Sequence, residues 1–150
     1  MDSKFFIQLP ALNFAEKYQF RLKNTDNNTF IFCLLRKKWI VLTPEEWVRQ
    51  HVIQYLIQSK AYSPASIIPE YPVVINGIKQ RIDLLVHSNA MPYILVECKK
   101  PSVKITQNTL DQAMRYNQII NAPFVYLTNG LQHIIAEGRE SELVFHQELP

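Results

Sequence analysis

Two acids and a lysine sit where the surrounding residues would not place them by default. Asp83 interrupts the apolar run Ile82-Asp83-Leu84-Leu85-Val86, and Glu97-Cys98-Lys99 closes the apolar run Tyr93-Ile94-Leu95-Val96. Short apolar runs bounded by turn signals read as buried strands, where charged residues are uncommon. Side chains alternate along a strand, so Glu97 and Lys99 project from one face and Cys98 from the other. If the hairpin joining the two strands is centred on Ala90, Asp83 lies directly opposite Glu97. Facing like charges destabilise a sheet, so a positive group must lie close by. Lys99 is one candidate, and a divalent cation with oxygen ligands is the other.

Two carboxylates and a lysine at one end of a sheet suit metal-assisted hydrolysis of a phosphodiester. Asp83 and Glu97 would hold Mg²⁺, with Mn²⁺ as its substitute; the ion neutralises developing charge and lowers the pKa of a bound water. Lys99 would orient or activate that water and stabilise the transition state. Gln112 and Tyr116, four residues apart on a helix, share a face and can hydrogen-bond a phosphate or carboxylate, as an ordinary helix edge also could. Lys100, Lys104 and Arg115 suit phosphate contacts and equally a solvated basic rim. The trio of Asp83, Glu97 and Lys99 also fits a purely structural ion-pair network.

Composition narrows the setting. The 150 residues are 47% hydrophobic and 19% charged, enough for one globular core. A net charge of +3 permits a basic patch without demanding nucleic acid. The two cysteines, Cys33 and Cys98, have no metal-type spacing and make no disulfide framework. Without a secretory signal or an apolar run of spanning length, the expectation is a reduced, cytoplasmic protein that does not enter a membrane. Three glycines are too few for a glycine-rich phosphate loop, and no nucleotide-binding fingerprint occurs.

The elements that must position these residues follow in order. Residues 1–42 read as a β extension: an apolar run at Phe5–Leu9, alternation at Tyr18–Leu22 and from Thr29, the turn-rich Asn24–Asn28 between them, then a strand at Trp39–Leu42. Thr43-Pro44-Glu45-Glu46 starts a helix that runs to about Ser59. Val48, Val52, Tyr55, Leu56 and Ser59 form its buried stripe, with Glu45 and Arg49 at the stripe's N-terminal end. That pair reads either as an i,i+4 ion pair or as a carboxylate delivered to a cleft. Ala61–Pro69 reads as loop, Tyr71–Ile75 and Ile78–His87 as a hairpin about Asn76-Gly77, His87–Pro92 as a second turn, and Tyr93–Lys99 as a third strand. A helix from about Gln107 to Asn121 should bury Leu110, Ala113, Met114, Asn117 and Ile120. Strands at Phe124–Thr128, Gln132–Glu137 and Leu143–Gln147 complete the chain.

Asp83, Glu97-Cys98-Lys99 and Gln112-Ala-Met-Arg-Tyr116 together resemble the PD-(D/E)XK nuclease superfamily. Pro44-Glu-Glu-Trp-Val-Arg-Gln50, Arg81-Ile-Asp83, Val96-Glu-Cys-Lys-Lys-Pro101 and Leu127-Thr-Asn-Gly130 narrow the resemblance to the N-terminal nuclease domain of type I restriction enzyme R subunits. It spans roughly residues 36 to 138, although Ile82 stands where the superfamily often has proline. The resemblance implies an α/β (α+β) fold: a restriction-endonuclease-like core with a mixed central sheet flanked by helices. It implies one domain over 1–150, with residues 1–42 as the β-hairpin extension and 43–150 as the core. It also implies a Mg²⁺-dependent DNA endonuclease. Asp83 and Glu97 would then be metal ligands alongside the Cys98 carbonyl, and Lys99 the catalytic lysine. Gln112 and Tyr116 would be accessory residues, and Glu45, rather than Glu46, a further site carboxylate; Glu70 is a peripheral candidate. The implied partners are DNA and a helicase motor or other restriction-system subunits in separate chains, with a homodimer also open. The alternative is a catalytically silent nucleic-acid-binding or assembly module of the same fold.

Overall fold

The computed structural model describes residues 9–150. The expected strand at Phe5–Leu9 therefore lies, but for Leu9, outside the described residues. Three short strands, β1 (Leu22–Asn24), β2 (Thr29–Cys33) and β3 (Lys38–Val41), form an antiparallel sheet in that order. Thr29, Ile31 and Cys33 point inward and are buried, while Phe30 and Phe32 point outward. The strand expected at Tyr18–Leu22 contributes only Leu22. Upstream of it, Tyr18 and Phe20 pack their rings on Trp47 and His51 of the following helix.

That helix, α1 (Pro44–Gln54), starts as its sequence dictates. The Thr43 hydroxyl accepts a hydrogen bond from the Glu46 N–H at 3.0 Å, and Pro44 occupies the first turn, where no N–H partner is needed. It continues as a π turn over Tyr55–Ser59. The wider turn rotates the later residues, so Leu56 remains buried but Ser59, expected on the buried stripe, is exposed and bonded to Tyr18.

The main sheet comprises β4 (Ile67–Ile75), β5 (Ile78–Ser88), β6 (Met91–Cys98), β7 (Phe124–Thr128), β8 (His133–Arg139) and β9 (Glu142–His146), in that spatial order. A second helix, α2 (Gln107–Ile120), crosses from β6 to β7, a parallel pair; the other pairs among the described strands are antiparallel. The fold is thus a mixed α+β arrangement with one helix against each apolar cluster. Val48 and Val52 of α1, and Leu56 of the π turn that continues it, pack on Leu84, Val86, Ile94, Val96 and Cys98. Leu110, Ala113 and Tyr116 of α2 pack on Ile82, Leu85, Leu95 and Leu127. Tyr116 is buried, which the expected stripe of α2 did not include.

Three boundaries differ from expectation, each for a local reason. Strand β4 begins at Ile67, not Tyr71: Ile67, Ile68 and Pro69 pair with Val86, Leu85 and Leu84. Pro69 and Pro72 disguise it, yet proline is tolerated on an edge strand. The turn expected over His87–Pro92 shrinks to Asn89-Ala90, both with positive φ (53° and 63°), as a two-residue hairpin turn requires. A register shift between Val86 and His87 offsets the pairing by one residue, so Leu84 still faces Val96 as a hairpin centred on residue 90 would place it. The last two strands form one hairpin, shifted slightly from the expected limits.

The β4–β5 ladder skips one position, Glu70 opposite Asp83, where Glu70 has φ +53°. Inward-facing positions switch faces across this gap. On β4, Ile67 packs in the α1 cluster but Val73 in the α2 cluster; on β5, Leu84 packs with α1 but Ile82 with α2. Regular alternation would place each of these pairs on one face. The pleat is broken at the residue that carries the acid.

Candidate active site

Where the β5–β6 ladder ends at Leu84↔Val96, side chains take over the pairing. The Asp83 N–H donates to Glu97 Oε1 at 3.2 Å, and the Cys98 N–H donates to Asp83 Oδ2 at 2.8 Å. The two acids are thereby fixed next to each other at the strand ends. The next pairing is between β6 and β7: Cys98 faces Thr128, and the Lys99 N–H donates to the Thr128 carbonyl at 2.8 Å. Lys99 is half-buried on the same strand face as Glu97.

Among the described side chains, the cation hydrogen-bonded to Asp83 is one that the sequence did not single out as its partner. It is Arg49, one turn into α1. Its Nε and Nη2 donate to Asp83 Oδ1 at 3.2 and 2.7 Å, Nη2 also reaches Glu45 Oε2 at 2.9 Å, and Nη1 reaches Glu46 Oε1 at 2.5 Å. A planar guanidinium with five donors can bind three carboxylates at once, which a lysine could not do with comparable geometry. Glu46 is the more enclosed of the two helix acids, with a side chain 6% exposed against 45% for Glu45. Its other oxygen, Oε2, accepts from Gln50 at 2.8 Å, and Arg36 Nη1 approaches Oε1 at 3.8 Å. Arg36 also lies 3.8 Å from Glu70, which pairs at 3.7 Å with the exposed Arg81. The spacing Glu45–Arg49 and Glu46–Arg49 was visible in the sequence; the reach of Arg49 across to Asp83 was not, because it depends on how α1 packs on the sheet.

Charge balance within the site is uneven. Burial would lower the Arg49 pKa, but the charges of Asp83 and Glu46 outweigh it and keep the guanidinium firmly protonated. Burial first, and the neighbouring Asp83 charge second, push the Glu97 carboxyl up to about 8, against a partial pull from the Asp83 N–H and from Lys99. Burial raises the Cys98 thiol well above its ordinary value, so this side chain is an inert part of the core. Among the described residues, no three His, Cys, Asp or Glu side chains converge as a ready-made metal cage.

Gln112 and Tyr116 lie together, with Gln112 Nε2 3.4 Å from the Tyr116 hydroxyl. They line a cleft of about 190 Å³ with Arg115, Gln80 and the Ile75–Ile78 turn, and neither hydrogen-bonds to Asp83, Glu97 or Lys99. Lys100 and Lys104 are exposed on the connector that follows β6. A larger cleft, about 470 Å³, is lined by Phe14, Tyr55, Lys60, Tyr126 and His133, and includes none of the acid–lysine trio.

An acid pair and a lysine thus lie at the strand ends of a mixed α+β sheet, backed by a charged helix. The chain belongs to the family described as the type I restriction enzyme R protein N terminus, whose model matches residues 44–150. That match starts at the first residue of α1 and includes every candidate site residue named above except Arg36. No curated protein matches the chain. Among the described residues, no helix is long and apolar enough to cross a membrane.

Proposed function

We propose that this chain is a Mg²⁺-dependent DNA endonuclease domain of the PD-(D/E)XK type, acting on phosphodiesters within a restriction system. The observation that carries this reading is the Asp83–Glu97 pair, joined through backbone hydrogen bonds at the strand ends with Lys99 two residues on. The donor set fits a hard divalent cation: two carboxylates and the Cys98 carbonyl, all oxygen, with water and substrate phosphate completing the shell. Burial, with the neighbouring Asp83 charge second, raises the Glu97 pKa, and a cation beside the pair would lower it again. When bound, the metal would supply charge neutralisation and a more acidic water.

The chain's own residues do the remaining work. Asp83 and Glu97 are held by the sheet before substrate arrives, so little reorganisation is needed. Lys99, on the face of Glu97, orients the attacking water and stabilises the charged phosphorus centre during in-line displacement. Gln112, Tyr116 and Arg115 form a polar flank that suits contacts to the DNA backbone, as do Lys100 and Lys104. Glu45 contributes through Arg49, whose position it shares with Asp83. DNA and other restriction-system subunits are the partners this reading carries, within the cytoplasm.

One observation favours a second reading. Arg49 already compensates Asp83, Glu45 and Glu46, as it would in a site kept for structure or DNA binding alone. Plasmid cleavage in Mg²⁺ or Mn²⁺ separates the two. The nuclease reading expects loss of at least 100-fold in Glu97→Ala and Lys99→Ala. Equal activity in wild type and both variants would remove it, and calorimetry showing no Mn²⁺ site that depends on Asp83 would favour the silent module.

A further inference from the structure

The three-stranded sheet of β1, β2 and β3 lies outside the family match, and its solvent face has a composition that folding does not require. The register defines two rows across it. The Phe32 N–H donates to the Arg21 carbonyl at 3.0 Å, and Phe32 faces Trp39; Lys23 faces Phe30, which faces Val41. Each row runs cation, phenylalanine, then an apolar residue. The rings are half-buried, Val41 is exposed, and both cations are exposed.

The cations lie over the rings. The Arg21 guanidinium is 4.6 Å from the Phe32 centroid and 5.3 Å from that of Trp39. The Lys23 ammonium is 4.4 Å from Trp39 and 5.9 Å from Phe30. Phe32 and Trp39 meet edge to face at 5.4 Å. Charge is concentrated here as well. Residues 17–41 carry six of the chain's 16 Lys and Arg and one of its 13 Asp and Glu, so the whole of the net positive charge resides in this segment.

We infer that this face binds single-stranded DNA, with bases stacked on Phe30, Phe32 and Trp39 and phosphates on Arg21 and Lys23. Aromatic rings on a sheet, interleaved with cations, match a flexible strand whose bases are free to stack and whose backbone is anionic. Duplex DNA keeps its bases paired and could offer the face only phosphates. An exposed cation–π contact is weaker than a base stacked on a ring, so an incoming base can displace the cation towards the backbone. The face is also joined to the acid site: Arg36, in the turn between β2 and β3, approaches Glu46 and Glu70, and Val41 lies two residues before the Thr43 cap of α1. The inference rests on the nuclease reading only for the choice of DNA.

The test is fluorescence anisotropy with a labelled 20-nucleotide mixed-sequence strand and the matching duplex, in EDTA so that cleavage plays no part. Wild type should bind the single strand at least tenfold more tightly than the duplex. Arg21→Gln/Lys23→Gln should weaken binding about tenfold and reduce the salt slope by about 1.4, the contribution of two phosphates. Phe30→Leu/Phe32→Leu keeps apolar bulk on the strand but removes two rings; it should weaken binding about tenfold with the salt slope unchanged. Circular dichroism establishes that both variants fold. Absence of single-strand binding by wild type, or equal affinity for duplex, would overturn the inference. So would a Phe30→Leu/Phe32→Leu variant that binds like wild type, since that describes only a basic rim. Because no metal is present, these outcomes are separate from loss of nuclease activity.

Discussion

Glu97→Gln should make the metal-free protein more stable at pH 8 and remove most of its stability change between pH 5 and 8. In the folded chain, burial and Asp83 push the Glu97 carboxyl up to about 8; in the unfolded chain it titrates near 4.5. The folded state therefore holds a proton that the unfolded state has released, and stability falls as pH rises through that window. The slope is at most about 1.4 kcal/mol per pH unit, and the total at most about 5 kcal/mol. The pull of Lys99 and of the Asp83 N–H works against burial, and a difference of about 2–4 kcal/mol at pH 8 is expected. Gln retains an oxygen to accept the Asp83 N–H, so the substitution removes charge without orphaning that donor. His51 and His133 complicate the wild-type profile, since burial lowers both and makes stability rise with pH below their ordinary value. Both proteins share that contribution, so the difference between their urea midpoints at pH 5, 6, 7 and 8 isolates Glu97. Mn²⁺ should stabilise wild type more at pH 8 than at pH 5, because binding must displace the proton. Parallel curves for wild type and variant would refute the account of Glu97 as an undercompensated carboxyl.

Three further substitutions probe how the site is held. Arg49→Met leaves Asp83 and Glu46 without their main cation and should cost about 3–5 kcal/mol in urea unfolding; Arg49→Lys should recover only part, lacking the planar fork. Gly130→Ala should cost about 1–3 kcal/mol, since φ is +87° and an added Cβ would meet Leu12 Cδ2 at 2.8 Å and Val48 Cγ2 at 3.1 Å; thermal melts measure it. Thr43→Ala should cost about 1 kcal/mol by loss of the α1 cap, whereas Thr43→Asp should be close to neutral in the same melts.

The parts of the fold written in local chemistry were legible. Thr43-Pro44 started a helix, Asn76-Gly77 made a tight turn with φ of 51° and 76°, and the apolar run ending at Glu97 formed a central strand. Facing positions 83 and 97 were also legible, although two irregularities cooperate there: a shorter turn at Asn89-Ala90 and a compensating register shift at Val86/His87. What was not legible depended on packing between elements. Tyr18 and Phe20 alternate like a strand but pack on α1 instead. The prolines at 69 and 72 concealed an edge strand. The identity of the cation beside Asp83 was hidden because Arg49 lies 34 residues earlier, and only tertiary contact brings it there.

That cation changes how the site should be understood. A hairpin with Asp83 facing Glu97 is unfavourable by itself, and the broken pleat at Glu70 and Asp83 adds irregularity at the same point. Both are tolerated because α1 brings Arg49 to Asp83 and anchors it with Glu45 and Glu46. Arg49 contacts Asp83 but makes no hydrogen bond to Glu97, so the compensation is one-sided. Burial, with the Asp83 charge second, pushes the Glu97 carboxyl up to about 8. A divalent ion between them would complete on Glu97 what Arg49 does on Asp83, without needing Arg49 to leave. The helix that opens the family match is thus part of the site's electrostatics.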